Sequence, residues 1–122
     1  MQIKKFLCFD NSGVKEVKGI RLLDTKYIQP GSLILVSLCK LKKNRNIKKK
    51  LSKGQLYRAI VIRLRCLIKR FTSVVISYDV NGIILFKKHD LVPLGTRIYG
   101  PIFFEIRLLG FMKIVSLASY TI

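Results

Sequence analysis

Between Gly95 and Pro101 the chain sets Thr96, Arg97, Ile98 and Tyr99 among two glycines and a proline. Glycine and proline fix a tight backbone path, so the segment offers one cation, one hydroxyl and one flat ring on a constrained support. That chemistry suits binding to RNA or to a protein surface. It does not suit turnover, because no side chain in it moves a proton at neutral pH. The other titratable residues add little. The acids Asp10, Glu16, Asp24, Asp79, Asp90 and Glu105 are scattered, and turn duties account for Asp10 and Asp79. His89-Asp90 is an adjacent pair without a third orienting group. Cys8, Cys39 and Cys66 lie far apart with no Cys-x-x-Cys spacing, and His89 is the single histidine. Zinc needs about four clustered N/S ligands, so the thiols read as small buried hydrophobes in a reducing compartment. Gly95 and Gly100 are not followed by the Gly-Lys-Ser/Thr of a phosphate-cradling loop. No catalytic residue, cofactor or metal site is expected, and the chain does not read as an enzyme.

Charge supplies the positive signal. Twenty-four lysines and arginines stand against 6 acids, a formal net charge of +18 on 122 residues. With 50% hydrophobic residues and a mean hydropathy of +0.31, the chain is not of the disordered class. Such an excess repels itself and attracts polyanions, and nucleic acid is the natural neutralising partner. Between Asp24 and Asp79 there is no acid. Within that interval Lys40, Lys42, Lys43, Arg45, Lys48, Lys49, Lys50 and Lys53 crowd the segment from Lys40 to Gly54. It reads as a long basic hairpin arm that orders against phosphates. Arg63, Arg65, Lys69 and Arg70 form a second patch, on or just past a strand. A wide cationic surface of this kind recognises folded RNA by backbone shape more than by base edges. Stacking of single-stranded bases wants aromatics among the cations, and the strand Leu56 to Arg65 offers only Tyr57. Phe103, Phe104 and Phe111 fall in the tail, where packing is their expected role.

The elements that position these residues are short strands. Ile3 to Phe9 is apolar-rich and stops at the turn-forming Asp10-Asn11-Ser12-Gly13. Val14 to Leu23 follows, with Val14, Ile20 and Leu22 expected on one alternating face, and Pro30-Gly31 makes the next turn. Leu33 to Leu41 is apolar on both faces and reads as central. Leu56 to Arg65 alternates, its second face changing from apolar to cationic at Arg63 and Arg65. Val74 to Tyr78 and Gly82 to Phe86 are expected to form a hairpin through Asp79-Val80-Asn81-Gly82. After Pro101 the period changes, predicting a short helix ending at Gly110 and a second around Ile114. The expected fold class is mainly β: a small closed five-stranded barrel over 1–100 with a basic arm at 40–54, and one or two short helices over 101–122, in one domain. No apolar run approaches the about 20 residues of a spanning helix, so no membrane partner is expected.

The ordered set Asp10-Asn11-Ser12-Gly13, Ala59-Ile60-Val61-Ile62-Arg63, Tyr78-Asp79-Val80-Asn81, Gly95-Thr96-Arg97-Ile98-Tyr99-Gly100-Pro101, Glu105-Ile106-Arg107 and Phe111-Met112-Lys113-Ile114-Val115-Ser116-Leu117-Ala118 resembles the universal ribosomal large-subunit protein numbered fourteen over essentially its whole length. The resemblance implies a five-stranded barrel bound to large-subunit ribosomal RNA, at the face that meets the small subunit and its RNA. It implies contacts with the nineteenth and third large-subunit proteins, a ribosome-silencing factor docking near the C-terminus, and no homo-oligomer. Carried over, Thr96, Arg97 and Lys113 belong to the bridging and docking surface. Asn11, Ser12, Arg63, Arg65 and the basic arm face ribosomal RNA.

The chain departs from that pattern in places. Arg70-Phe71-Thr72-Ser73-Val74 stands where the family has an Arg-Pro-Asp-Gly-Ser turn, Phe104 precedes Glu105 at a usually polar position, and the arm is richer in lysine. Enrichment in Ile, Leu, Lys, Phe and Asn points to an AT-rich coding genome. With Met1-Gln2-Ile3-Lys4-Lys5 leading straight into a strand, the expected setting is a mitochondrial ribosome, with a plastid or an AT-rich bacterium as alternative. The competing functional expectation is a free barrel-type RNA-binding translation factor.

Overall fold

The computed structural model describes residues 5–24, 26–42, 51–65, 68–69, 74–118 and 121–122. Strands β1 (Lys5–Cys8), β2 (Val14–Leu22), β3 (Leu33–Leu41) and β4 (Leu56–Arg63) pair antiparallel in sequence order. A two-stranded ribbon of β5 (Ile68–Lys69) and β6 (Val75–Ile76) stands apart. Strand β7 (Gly82–Leu85) then pairs antiparallel with β4 and parallel with β1, which closes a five-stranded barrel. Closure leaves no free edge in the barrel, which matters for a small sheet protein. Two short helices follow, α1 (Glu105–Leu108) and α2 (Met112–Leu117). Gly110 adopts the left-handed conformation (φ 85°) just past the first, as a helix stop requires.

Inside the barrel Phe6, Val17, Leu38, Val36, Ile34, Ala59, Val61, Ile83 and Leu85 meet in cross-strand pairs and are buried. Strands β4 and β7 are apolar on their outer side as well, because the C-terminal segment covers them. Phe103 N donates to Ile62 O at 3.2 Å, and the Phe111 ring lies 6.2 Å from that of Phe86. Ile60, Ile62, Ile84 and Phe86 are thereby fully buried.

Two local expectations are corrected. Ile20 does not share the buried face with Val14. Register shifts between Val14 and Glu16, Glu16 and Val17, and Gly19 and Arg21 break the alternation of β2. Such bulges displace every later side chain, so Val17 enters the core and Ile20 is exposed. Asn81-Gly82 also does not turn a hairpin. β6 pairs with β5, while Asn81 splices into the barrel: its carbonyl accepts Leu7 N at 3.0 Å and its Oδ1 accepts Arg65 N at 2.9 Å. The local hairpin signal yields to the stronger demand of β7 for partners on both sides.

The bulges make a stability test specific. Val17→Ala empties part of a filled interior and is expected to cost about 2 kcal/mol, whereas Ile20→Ala is expected to stay within about 0.5 kcal/mol. Urea unfolding of the two variants measures the difference, and comparable losses would contradict the register.

Candidate functional site

The turn after β1 is organised by Asp10, which is 2% exposed. Its Oδ1 accepts from Ser12 N at 3.0 Å, Ser12 Oγ at 2.5 Å and Cys8 Sγ at 3.0 Å, and its Oδ2 accepts from Leu85 N at 3.4 Å. A buried carboxylate is tolerated when donors converge on it in this way. Burial, reinforced by the negative charge of Asp10, pushes the Cys8 thiol well above its ordinary range. Asp10 also bridges backbone to backbone with Ile98, so the turn and the Gly95–Pro101 loop lie together.

Asn11 fastens the start of that loop. Its Oδ1 accepts Thr96 N at 2.7 Å and Arg97 N at 3.0 Å, and its Nδ2 donates to Thr96 Oγ1 at 2.7 Å. Gly95 is required there, since a Cβ would stand 2.6 Å from Asn11 Oδ1. Arg63 fastens the end. Its Nε donates to Pro101 O at 2.7 Å and its Nη2 to Tyr99 O, while the guanidinium rests 3.9 Å above the Phe9 ring. Gly100, with φ 81°, presses against that guanidinium and leaves no space for a side chain. Tyr99 N donates to Phe9 O at 2.8 Å. Lys42 closes the third side, with Nζ donating to Asp10 O at 3.2 Å and lying 5.4 Å from the Tyr99 ring centre. Thr96, Arg97 and Tyr99 remain exposed on this lashed loop.

Beside it, Lys15, Lys40, Lys42 and Lys53 line an open groove of about 690 Å³. Lys40 reaches Glu16 at 3.3 Å, the one ion pair among the described residues. Four ammonium groups facing one acid hold a net positive field suited to phosphate. Arg65 is exposed at the end of β4, and Lys69 is exposed on β5. Lys113 lies on α2 and lines a separate hollow with Leu91, Met112 and Ile114. Lys43, Arg45, Lys48, Lys49, Lys50 and Arg70 lie outside the described residues, as do most of the expected arm, the Arg70–Ser73 turn and Cys66.

Residues 2–122 match the family model of ribosomal protein L14p/L23e. The chain belongs to that family. It is therefore a structural protein of the large ribosomal subunit, one that binds ribosomal RNA and neighbouring ribosomal proteins. Within this L14p/L23e barrel Lys15, Lys40 and Lys53 are exposed, and the lashed loop leaves Thr96, Arg97 and Tyr99 in solvent. Among the described residues no group of three or more His, Cys, Asp or Glu is placed to hold a metal ion.

One sequence-based assignment is corrected. Arg63 does not add to an exposed cationic patch; at 8% exposure it is a strut under the loop. Its alternation with Tyr57, Ala59 and Val61 carries it to the barrel mouth, where the carbonyls of Tyr99 and Pro101 wait. Asn11, which is exposed, and the half-buried Ser12 also bond protein atoms through their side chains. Lys15 was not anticipated as part of the groove; its signal is the single cation flanking the Asp10–Gly13 turn. For Cys8, the unfolded thiol ionises near its usual ~8.5, while the folded thiol stays protonated to higher pH. The folded state thus loses stability as pH rises above the unfolded value, toward the raised value of the folded thiol. Chemical denaturation across that range is expected to show a shallower decline for Cys8→Ala than for the natural chain.

Proposed function

We propose that the chain serves in the large subunit of a mitochondrial ribosome, holding ribosomal RNA and presenting the Gly95–Pro101 loop to the small subunit. The observation that carries this reading is the lashing of the loop by Asn11, Arg63 and Lys42, with Thr96 and Arg97 left outward. A loop that is already ordered loses little conformational freedom when it docks. Arg97 then meets small-subunit RNA as a charge-assisted donor to phosphate, and Thr96 and Tyr99 complete the contact. On the RNA side, Lys40, Lys42 and Lys53 act through the groove, joined by Arg65, Lys69, Asn11, Ser12, and by Lys43, Arg45, Lys48, Lys49, Lys50 and Arg70 of the arm and its neighbouring segment.

Lys113 and the exposed Met112 and Leu108 offer a cation with apolar surface, a combination suited to protein. We assign this part to the nineteenth and third large-subunit proteins and to a silencing factor that blocks subunit joining. The mitochondrial setting rests on the Ile, Leu, Lys, Phe and Asn enrichment of the sequence; a plastid or bacterial ribosome is the competing setting.

Arg97→Ala separates docking from assembly. Loss of a charged hydrogen bond is worth ~1.5–3 kcal/mol, so subunit joining is expected to weaken about ten- to a hundredfold in sucrose-gradient titrations. The variant should still enter large subunits. Its absence from assembled large subunits, or unchanged joining and unchanged silencing-factor binding, would overturn the proposal.

A further inference from the structure

The outer wall of the barrel carries a second set of cations that neither the groove nor the loop uses. Lys5 on β1 sits directly opposite Lys18 on β2, and Lys18 opposite Ser37 on β3. Two residues along β3, and three along the bulged β2, Arg21 on β2 faces Leu35 on β3, and Leu35 faces Arg58 on β4. Alternation places Ser37 and Leu35 on the same side of their strand, so the two rows share one outward face. Directly opposed Cβ atoms stand ~4.5–5.5 Å apart, and rows two residues apart are separated by ~7 Å. Lys5, Lys18 and Arg21 are exposed. Arg58 Nη2 donates to Lys88 O at 3.2 Å, which brings Lys87 and Lys88 to the margin of the same face.

The acids nearest in this register are already engaged. Glu16 is paired with Lys40, and Asp24 Oδ1 accepts Leu33 N at 3.0 Å. Like charges directly opposed destabilise a sheet, so the Lys5–Lys18 pair is unfavourable in the free protein. A polyanion lying across it reverses the sign. The wall runs out at the β2–β3 connection, where Tyr27 is 74% exposed, the most exposed large hydrophobic side chain among the described residues. Lys26 Nζ stands 5.8 Å from its ring centre. A solvent-facing ring beside a cation is the equipment of a base-stacking platform.

We propose that this wall is a second RNA-binding face. A phosphate backbone runs over Lys5, Lys18, Arg21 and Arg58, and Tyr27 stacks on an unpaired base at the hairpin tip. RNA fits better than an acidic protein, because lysine is depleted from the cores of protein interfaces and here cations occupy the middle of the face. The inference rests on the chain being an RNA binder and is independent of the small-subunit bridge.

The test uses the full chain and a short RNA duplex with an unpaired overhang, titrated over a range of salt. Lys18→Gln/Arg21→Gln is expected to make the slope of log affinity against log salt shallower by ~1.4–1.8, the loss of two phosphate contacts. Tyr27→Ala is expected to weaken binding about tenfold with the slope unchanged, and Tyr27→Phe to retain it. Lys15→Gln/Lys53→Gln reports on the groove alone. Loss in the groove pair but not in the wall pair would overturn this inference while leaving the groove reading intact; loss in neither would sink both. A wall pair that weakens binding of a polyglutamate peptide but not of RNA would also overturn it. The melting temperature of Lys18→Gln should be unchanged or raised, and a fall would contradict the repulsion on which the argument stands.

Discussion

The carboxylate of Asp10 holds the molecule's functional end together. It lies at the end of β1, it is almost fully buried, and its donors come from three places: the thiol before it, the turn after it and the backbone of β7. Unsatisfied, a charge at that depth would be expelled or neutralised. Satisfied, it fixes where the first strand stops and how the following turn is aimed. Asn11 then faces the Gly95–Pro101 loop because Asp10 faces inward. The position of the loop is thus a consequence of barrel closure.

Two classes of cation follow from that arrangement. Arg63 is drawn to backbone carbonyls and an aromatic ring inside the site and acts as a strut, and Lys42 joins the two classes, donating to Asp10 O while lining the groove. A guanidinium suits the first role because its planar fork spans two carbonyls while its face lies on Phe9. Lys15, Lys40 and Lys53 stay at the surface and keep the positive field of the groove. Net charge therefore overstates the exposed cationic surface, since part of it is structural.

Much of the fold was legible because its signals were local. The strand opening at Leu56, the turn residues at Asp10–Gly13 and the Pro101-to-Gly110 change of period appear where the sequence puts them, although that strand stops at Arg63 rather than Arg65 and both its faces are buried from Ala59 onward. The misread parts depend on partners distant in sequence. Ile20 is exposed because bulges in β2 shift its register against β3, and nothing within Val14–Leu23 announces them. Asn81-Gly82 reads as a hairpin until β1 and β4 compete for the strand that follows. Arg63 looks like one more surface cation until Tyr99 and Pro101, some forty residues later, come to meet it. In the candidate site, residue types were readable, while their division between struts and contacts was a matter of tertiary geometry.

That division bears on how one small barrel can serve two kinds of contact. Binding through a spread of exposed ammonium groups tolerates displacement, because Coulombic attraction to phosphate varies slowly with distance and is shared among many groups. The docking proposed for Thr96 and Arg97 would not, because a hydrogen bond is lost within a fraction of an ångström to an ångström of misplacement. The first task can be left to flexible side chains on strands and turns. The second needs a loop held by Asn11 at one end and Arg63 at the other, with glycine wherever the struts come too close for a Cβ. On the proposed function, the close packing of Gly95 and Gly100 is the structural signature of the task that demands position, and the loose lysines are that of the task that demands only charge.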